Sequence, residues 1–119
     1  MEQPSPSKTV DTGAADTQGI QEALERFEAA YDSRNIARLQ TEWLNIGRRA
    51  KQLDDVFHTV DFVQISEKCS GSPTILGTNA EWKCNELVQF QKGVWLRAQP
   101  KTLYFVKQGA KWVLKDKLP

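Results

Sequence analysis

The feature that most constrains this chain is a change of hydrophobic period close to His58. Upstream, apolar residues recur with the spacing of a helix; downstream they alternate in twos, and β-branched residues become common. In "QGIQEALERFEAAYDSR", Ile20, Leu24, Phe27 and Tyr31 fall at steps of four, three and four and so line one helical face. Asp16 or Thr17 is the expected N-cap of that helix. Asn35 is positioned to cap a second, "IARLQTEWL", with Ile36, Leu39 and Trp43 on its buried stripe. A third is expected from about Asn45, with Ile46, Ala50, Leu53 and Phe57 on one face and Gly47 weakening its start. After His58, "TVDFVQISEKC", "AEWKCNELVQF", "VWLRAQPKTLYFVKQ" (with a break near Pro100) and "AKWVLKD" read as strands, with turns at "LGTN" and Gln108-Gly109. Helices followed by an antiparallel meander predict an α+β fold: three N-terminal helices packed on a strongly curved antiparallel sheet of four to six strands.

A chain of 119 residues is long enough for one self-sufficient core. Sixteen basic and fifteen acidic residues are interspersed to a net charge of +1, which leaves no electrostatic footprint for nucleic acid. No apolar run approaches the roughly 18 residues that would span a bilayer, so no direct membrane insertion is expected, and the N-terminus lacks the pattern of a signal peptide. "MEQPSPSKTVDTGAA" is rich in Pro, Ser and Thr, with Val10 its one large aliphatic residue. Residues 1–16 therefore read as a disordered leader or linker, and 17–119 as the folded domain. Such a leader suits either a piece cut from a longer protein or an ordinary native tail.

The two cysteines, Cys69 and Cys84, stand fifteen residues apart. With one histidine in the chain they cannot furnish four zinc ligands, and the spacing is not that of a redox Cys-x-x-Cys. If the first hairpin turns at Leu76 to Asn79, facing residues have numbers summing to about 153 to 155, and Cys69 and Cys84 sum to 153. That register favours a cross-strand disulfide over two inert thiols. A bridge implies a periplasmic or extracellular home, with any targeting signal upstream of these residues; free thiols imply the cytoplasm.

The segments "IQEALERFEAAYDSRNIARLQTEW", "CSGSPTILGTNAEWKC" and "LYFVKQGAKWVLKD", in that order, resemble the NTF2-like superfamily, the cone-shaped, cystatin-like α+β proteins that include SnoaL-type and ketosteroid-isomerase-like enzymes. The resemblance covers residues 17 to 117 and is nearest to small bacterial domains of unknown function, some attached to protein kinases or membrane proteins. The superfamily holds isomerases, dehydratases and polyketide cyclases beside non-catalytic binding and oligomerising modules, so the site must decide function. The isomerase-like enzymes carry a Tyr on the first helix eight residues before the acidic start of the second; here that position is Phe27, which has no hydroxyl. Tyr31 lies one turn along and either reaches the cavity mouth or is a core Tyr. The family's general-base Asp has its nearest counterpart in Asp61, which alternates with Val60 and Phe62 and is expected to face solvent. The dehydratases need several histidines, whereas His58 is alone and better read as a charge at a helix C-terminus.

Glu86 is the polar residue that breaks an apolar row, sharing a strand face with Ala80, Trp82, Cys84, Val88 and Phe90. It is expected either to pair with Arg97, to be turned out by a bulge, or to sit in a pocket with a raised pKa. Trp43, Trp82, Trp95 and Trp112 are core residues or the lining of an apolar cavity. Together these give a candidate pocket of Tyr31, Trp43, Trp82, Glu86 and Arg97, with no catalytic set, metal or cofactor identified. "LYFV" is apolar on both faces of its strand, so Leu103, Tyr104, Phe105 and Val106 are the candidate dimer face. The leading expectation is a non-catalytic module that dimerises and binds a small apolar ligand, as the sensory or assembly part of a larger protein. One alternative is an isomerase-, dehydratase- or cyclase-type enzyme with Glu86 as base and Tyr31 as hydrogen-bond donor, distinguished by whether both residues reach one cavity. The other is a domain that recruits a different protein through its sheet.

Overall fold

The computed structural model describes the backbone of residues 5–116 and the side chains of residues 14–116. Helices α1 (Ser5–Asp32), α2 (Ile36–Glu42) and α3 (Arg49–Thr59) pack against a sheet of β1 (Trp43–Leu44), β2 (Gln64–Cys69), β3 (Thr74–Leu76), β4 (Asn79–Gln89), β5 (Gln99–Gln108) and β6 (Lys111–Lys115). The strand order is β1-β6-β5-β4-β2, and β3 pairs with β4 beyond the end of β2. The fold is α+β, and its sheet does not close on itself.

Helix α1 buries Ile20, Ala23, Leu24, Phe27, Ala30 and Tyr31, the face set by its apolar spacing, against Ile65, Trp82, Phe105, Trp112 and Leu114 of the sheet. The approach is close at Gly19, where an added Cβ would lie 2.8 Å from Cδ1 of Trp112. Only a residue without a side chain lets the helix sit this low on β6. Of the leader expected at 1–16, residues 1–4 lie outside the described residues, and from Ser5 the backbone is already in α1. Asp16 is accordingly not an N-cap. Its carboxylate accepts hydrogen bonds from Lys107 Nζ at 3.1 Å and Trp112 Nε1 at 3.3 Å, tying the helix to β5 and β6.

Three further boundaries differ from the sequence expectation. Asn35 caps α2 as anticipated, accepting from the Arg38 N–H at 3.1 Å, but the helix stops at Glu42. Trp43 and Leu44 turn extended and pair in parallel with Leu114 and Lys115, so the sheet is mixed rather than wholly antiparallel. Asn45 and Gly47 both adopt positive φ, which delays α3 to Arg49. The "VWLR" stretch is not strand; it belongs to an exposed loop, and β5 begins at Gln99, with Pro100 its second residue. A prolyl nitrogen there can donate no ladder hydrogen bond, which suits a strand end.

Strand β4 has three partners, β5 along one edge and β3 and β2 along the other. Along one edge it pairs first with β3 and then with β2, in registers that sum to 155 and 153, the difference being absorbed at Ser70–Pro73. The N–H of Ser70 donates to Lys83 O at 3.0 Å, so the neighbouring pair, Cys69 and Cys84, is a non-hydrogen-bonded one, where facing side chains come closest. A disulfide joins them. Two N–H groups of β2 that point away from β4 meet helix α1 instead. Asp32 Oδ1 accepts from Ile65 N, and Glu28 Oε2 from Glu67 N, each at 2.8 Å. Two carboxylates one helical turn apart thus satisfy alternate donors of an edge strand.

Reduction of the disulfide is expected to remove roughly 3 kcal/mol, the chain-entropy worth of a fifteen-residue loop, and to lower Tm by on the order of 10 °C in thermal melts with and without reductant. Replacing Asp32 by Ala should cost about 1 kcal/mol by stranding the Ile65 N–H, measurable by denaturant unfolding. A variant as stable as the parent would show that water serves that donor equally well.

Candidate functional site

A cavity of about 490 Å³ opens between the helices and the inner face of β4, β5 and β6. Its apolar wall is aromatic and ordered. Phe27 stands edge-on to Trp43 with ring centres 5.3 Å apart, and Tyr31 edge-on to Phe57 at 5.4 Å. Helix α3 adds Leu53 and Val56, and the sheet adds Leu103 and Leu114. The polar groups fall at two places. Arg49 and Asp116 form an ion pair at 2.8 Å on one side, and Glu86 with Lys101 marks the other.

Of the five residues expected to form the pocket, Tyr31, Trp43 and Glu86 line this cavity. Trp82 is on the inner face, as its alternation required, but is buried away from the cavity with its Nε1–H donating to Ser70 O at 3.1 Å. Arg97 is exposed in the loop before β5, and the cation near Glu86 is Lys101, 4.0 Å away. The reason is register: Glu86 faces Gln99, so Arg97 lies beyond the end of the β4–β5 ladder. Asp61 and His58 are exposed; His58 Nδ1 sits 3.4 Å from Asp54 on its own helix. Trp95 is exposed and Trp112 lies buried beneath α1, so among the tryptophans Trp43 alone lines the cavity.

The candidate dimer face divides by strand alternation. Leu103 and Phe105 face Trp82 and Ala80 across β4 and enter the core, with Phe105 1% exposed. Tyr104 and Val106 are left on the outer face, half-buried, with the register placing Leu76 on the same side; Leu76 is 71% exposed.

Glu67 is the residue that sequence reasoning missed. It faces Glu86 across the β2–β4 ladder, two residues along from the disulfide, and the register that paired the cysteines pairs these two as well. Glu67 is 8% exposed, and among the described residues its carboxyl meets no N–H or hydroxyl donor, only the carboxyl of Glu86. Burial first, and then the hydrogen bond and negative charge of Glu86, push it up to about 10. At neutral pH Glu67 therefore keeps its proton. Burial pushes the Tyr31 phenol up to about 12, with Glu86 and Glu67 adding to the effect, so its hydroxyl keeps its proton. Glu28, behind Glu67, is also raised, chiefly by burial. The cavity thus combines an apolar aromatic wall, a phenol that keeps its proton and the carboxyl of Glu86, with Glu67 outside the lining and opposite it in the ladder.

This arrangement has a sign-definite effect on stability. A carboxyl whose pKa is raised by folding stabilises the native state most below its unfolded value, near 4.5, and loses that contribution as pH climbs through the folded value. Glu67→Gln keeps the shape and removes the ionisable group. The variant is expected to gain on the parent as pH rises from 5 to 8, by on the order of 1–3 kcal/mol at the upper end, in paired thermal melts. A gap that is flat or narrows with pH would mean that Glu67 is ionised in the folded protein.

No protein-family model matches this sequence, and no curated protein sequence does. Solved structures do match by shape. A proposed dehydratase of the NTF2-like family from Streptomyces avermitilis superposes with a TM-score of 0.70 at 14% identity, over 90% of this chain and 99% of that one. A proposed calcium/calmodulin-dependent protein kinase type II association domain from Thiobacillus denitrificans gives 0.63 at 12% identity, over 79% and 87%. A designed NTF2 protein gives 0.60 at 13% identity, over 81% and 92%. Identities this low speak to the fold alone, and the element order, the sheet and these superpositions agree that the chain has the NTF2-like fold.

Proposed function

We propose that this chain is a non-catalytic binding module: it takes a small, largely apolar ligand in the α1–α3–sheet cavity and dimerises through the outer face of the sheet. The observation that carries this reading is the cavity itself, whose volume is that of a small-molecule site and whose wall is built from Phe27, Trp43, Leu53 and Leu103. A monomer with no ligand would gain nothing from leaving such a surface uncovered. The dimer half of the proposal rests on Tyr104, Val106 and exposed Leu76, apolar groups on a face without a helix layer. The likeness to an association domain in Thiobacillus denitrificans is consistent with an assembly or sensory part of a larger protein. The Cys69–Cys84 bridge favours an oxidising, periplasmic or extracellular setting. Among the described residues no helix is long and apolar enough to cross a membrane.

A second reading has one observation in its favour. Tyr31 and Glu86 do line one cavity, as an isomerase-, dehydratase- or cyclase-type enzyme with Glu86 as base would need. The two readings separate in one pair of measurements. Binding of cyclohexylmethanol, followed by the NMR shift of the Trp43 indole, is expected in the parent and should weaken about tenfold or more in Leu53→Trp, which fills the cavity from α3. Deuterium exchange at the carbons beside the carbonyl of cyclohexanone should run at the uncatalysed rate; acceleration that Glu86→Gln abolishes by a factor of about 10² or more would establish the enzyme instead. Sedimentation should find a dimer that Leu76→Glu converts to monomer.

A further inference from the structure

Among the described residues four large apolar side chains are left exposed, and three of them are consecutive: Val94, Trp95 and Leu96, at 49%, 45% and 51%. They belong to the loop between β4 and β5, where every residue from Gln91 to Pro100 is exposed. The loop is nevertheless a built turn. The Val94 N–H donates to Gln91 O at 2.9 Å and the Leu96 N–H to Val88 O at 2.8 Å, with Gly93 at φ +87° between the bridged residues Gln91 and Val94. Buried Gln89 accepts from the Gly93 N–H at 2.8 Å, and its Nε2 donates to Gln64 at 2.6 Å, so the turn is pinned to β2 as well as to β4. A turn held this way keeps its apolar residues in water, which calls for something that covers them.

The charge around the loop is one-sided. Between Glu86 and Asp116 the chain carries six basic residues and no acidic one. Three of the six have a carboxylate within reach: Lys107 meets Asp16, Lys111 Glu42 and Lys101 Glu86. Among the described residues Lys92 and Arg97 form no ion pair, and these two flank the apolar triplet. An apolar tip that carries a Trp, with an unpaired cation on either side, has the composition that settles at a membrane interface: the ring lies at headgroup depth and the cations reach lipid phosphates.

We infer that the β4–β5 loop is a membrane-contact element, in which Val94, Trp95 and Leu96 enter the headgroup boundary of a bilayer containing anionic lipid and Lys92 and Arg97 pair with its phosphates. This contact is independent of the ligand cavity and of the outer sheet face. No residue of the triplet lines the cavity, and Leu76 pairs with the opposite end of β4. Size favours a bilayer over a protein partner. A stable protein contact takes roughly 800 Å² from each side, whereas this turn offers three apolar side chains. The attachment is peripheral and reversible, because one small tip with two cations gives weak binding, and among the described residues no helix is long and apolar enough to cross a membrane.

The test is co-sedimentation of the intact chain at low ionic strength with vesicles of phosphatidylcholine alone and with vesicles of phosphatidylcholine and phosphatidylglycerol in equal parts. The anionic vesicles are expected to bind about tenfold or more tighter than the neutral ones, and added salt should erase the difference. Trp95→Ser, and separately Lys92→Gln with Arg97→Gln, should each weaken binding to the anionic vesicles by about tenfold. All three side chains are exposed, and the comparison of the two vesicles in the parent stands without any variant. No binding to anionic vesicles, equal binding to both kinds, or an affinity unchanged in both variants overturns the membrane contact. Self-association that Trp95→Ser abolishes and Leu76→Glu does not, with no vesicle binding, overturns it too and makes the loop an interface between copies. None of these outcomes bears on the cavity, whose ligand titration is a separate measurement.

Discussion

Everything in this molecule depends on how α1 is held across the sheet. Its apolar stripe would allow the helix to slide or rotate by a residue, since hydrophobic contact has no direction. Polar ties remove that freedom. Near mid-helix Asp16 is bonded to Lys107 and Trp112, further along Arg26 donates to Trp112 O at 2.6 Å and to Glu42 at 3.0 Å, and in the last turns Glu28 and Asp32 grip β2. The helix therefore touches strands towards opposite sides of the sheet, β6 next to one end and β2 at the other. With both sides fixed, the space between α1, α3 and β4–β6 cannot collapse, and that space is the cavity.

The carboxyl pair makes sense only against that frame. Burying Glu67 is unfavourable in either protonation state: ionised, it meets Glu86; neutral, it gives up its hydration without gaining an N–H or hydroxyl donor. A Leu or Met at the same place would pack the inner face more cheaply. The disulfide two residues along the ladder fixes the spacing of β2 and β4 where repulsion between the carboxyls would pry them apart. A covalent tie beside a destabilising pair is what a chain needs if the pair is kept for something other than stability.

Much of this was legible in the sequence, and the reasons for the rest are physical. The change of period near His58 separated helices from strands because each side obeys its own geometry. The cysteine register was readable because a short turn at Leu76–Asn79 leaves few ways to pair what flanks it. The same arithmetic sets Glu67 opposite Glu86, but a buried Glu in an alternating strand looks like a solvent-facing one until its face is known. β1 was hidden because Trp43–Leu44 continues a helical stripe and its partner lies some seventy residues away, a contact that no local pattern encodes. Residues 94–97 carry the strand propensity of Val, Trp and Leu, but their pairing stops at an isolated Gln91–Val94 bridge and a single bond from Leu96 N–H to Val88 O, too little to make a ladder. Sharing a face predicted that Trp82 and Glu86 point inward together but not that the cavity stops between them, since depth along a strand depends on what the helices cover.

The grip of Glu28 and Asp32 on β2 reaches beyond the monomer. An edge strand with free N–H groups is a template on which another chain can add a strand, and β2 is the terminal strand of this sheet. By occupying the Ile65 and Glu67 donors, one helix closes that edge to growth. Any strand recruited there would first have to displace two carboxylates. Edge-to-edge extension, which has no natural end, is thereby disfavoured at this strand.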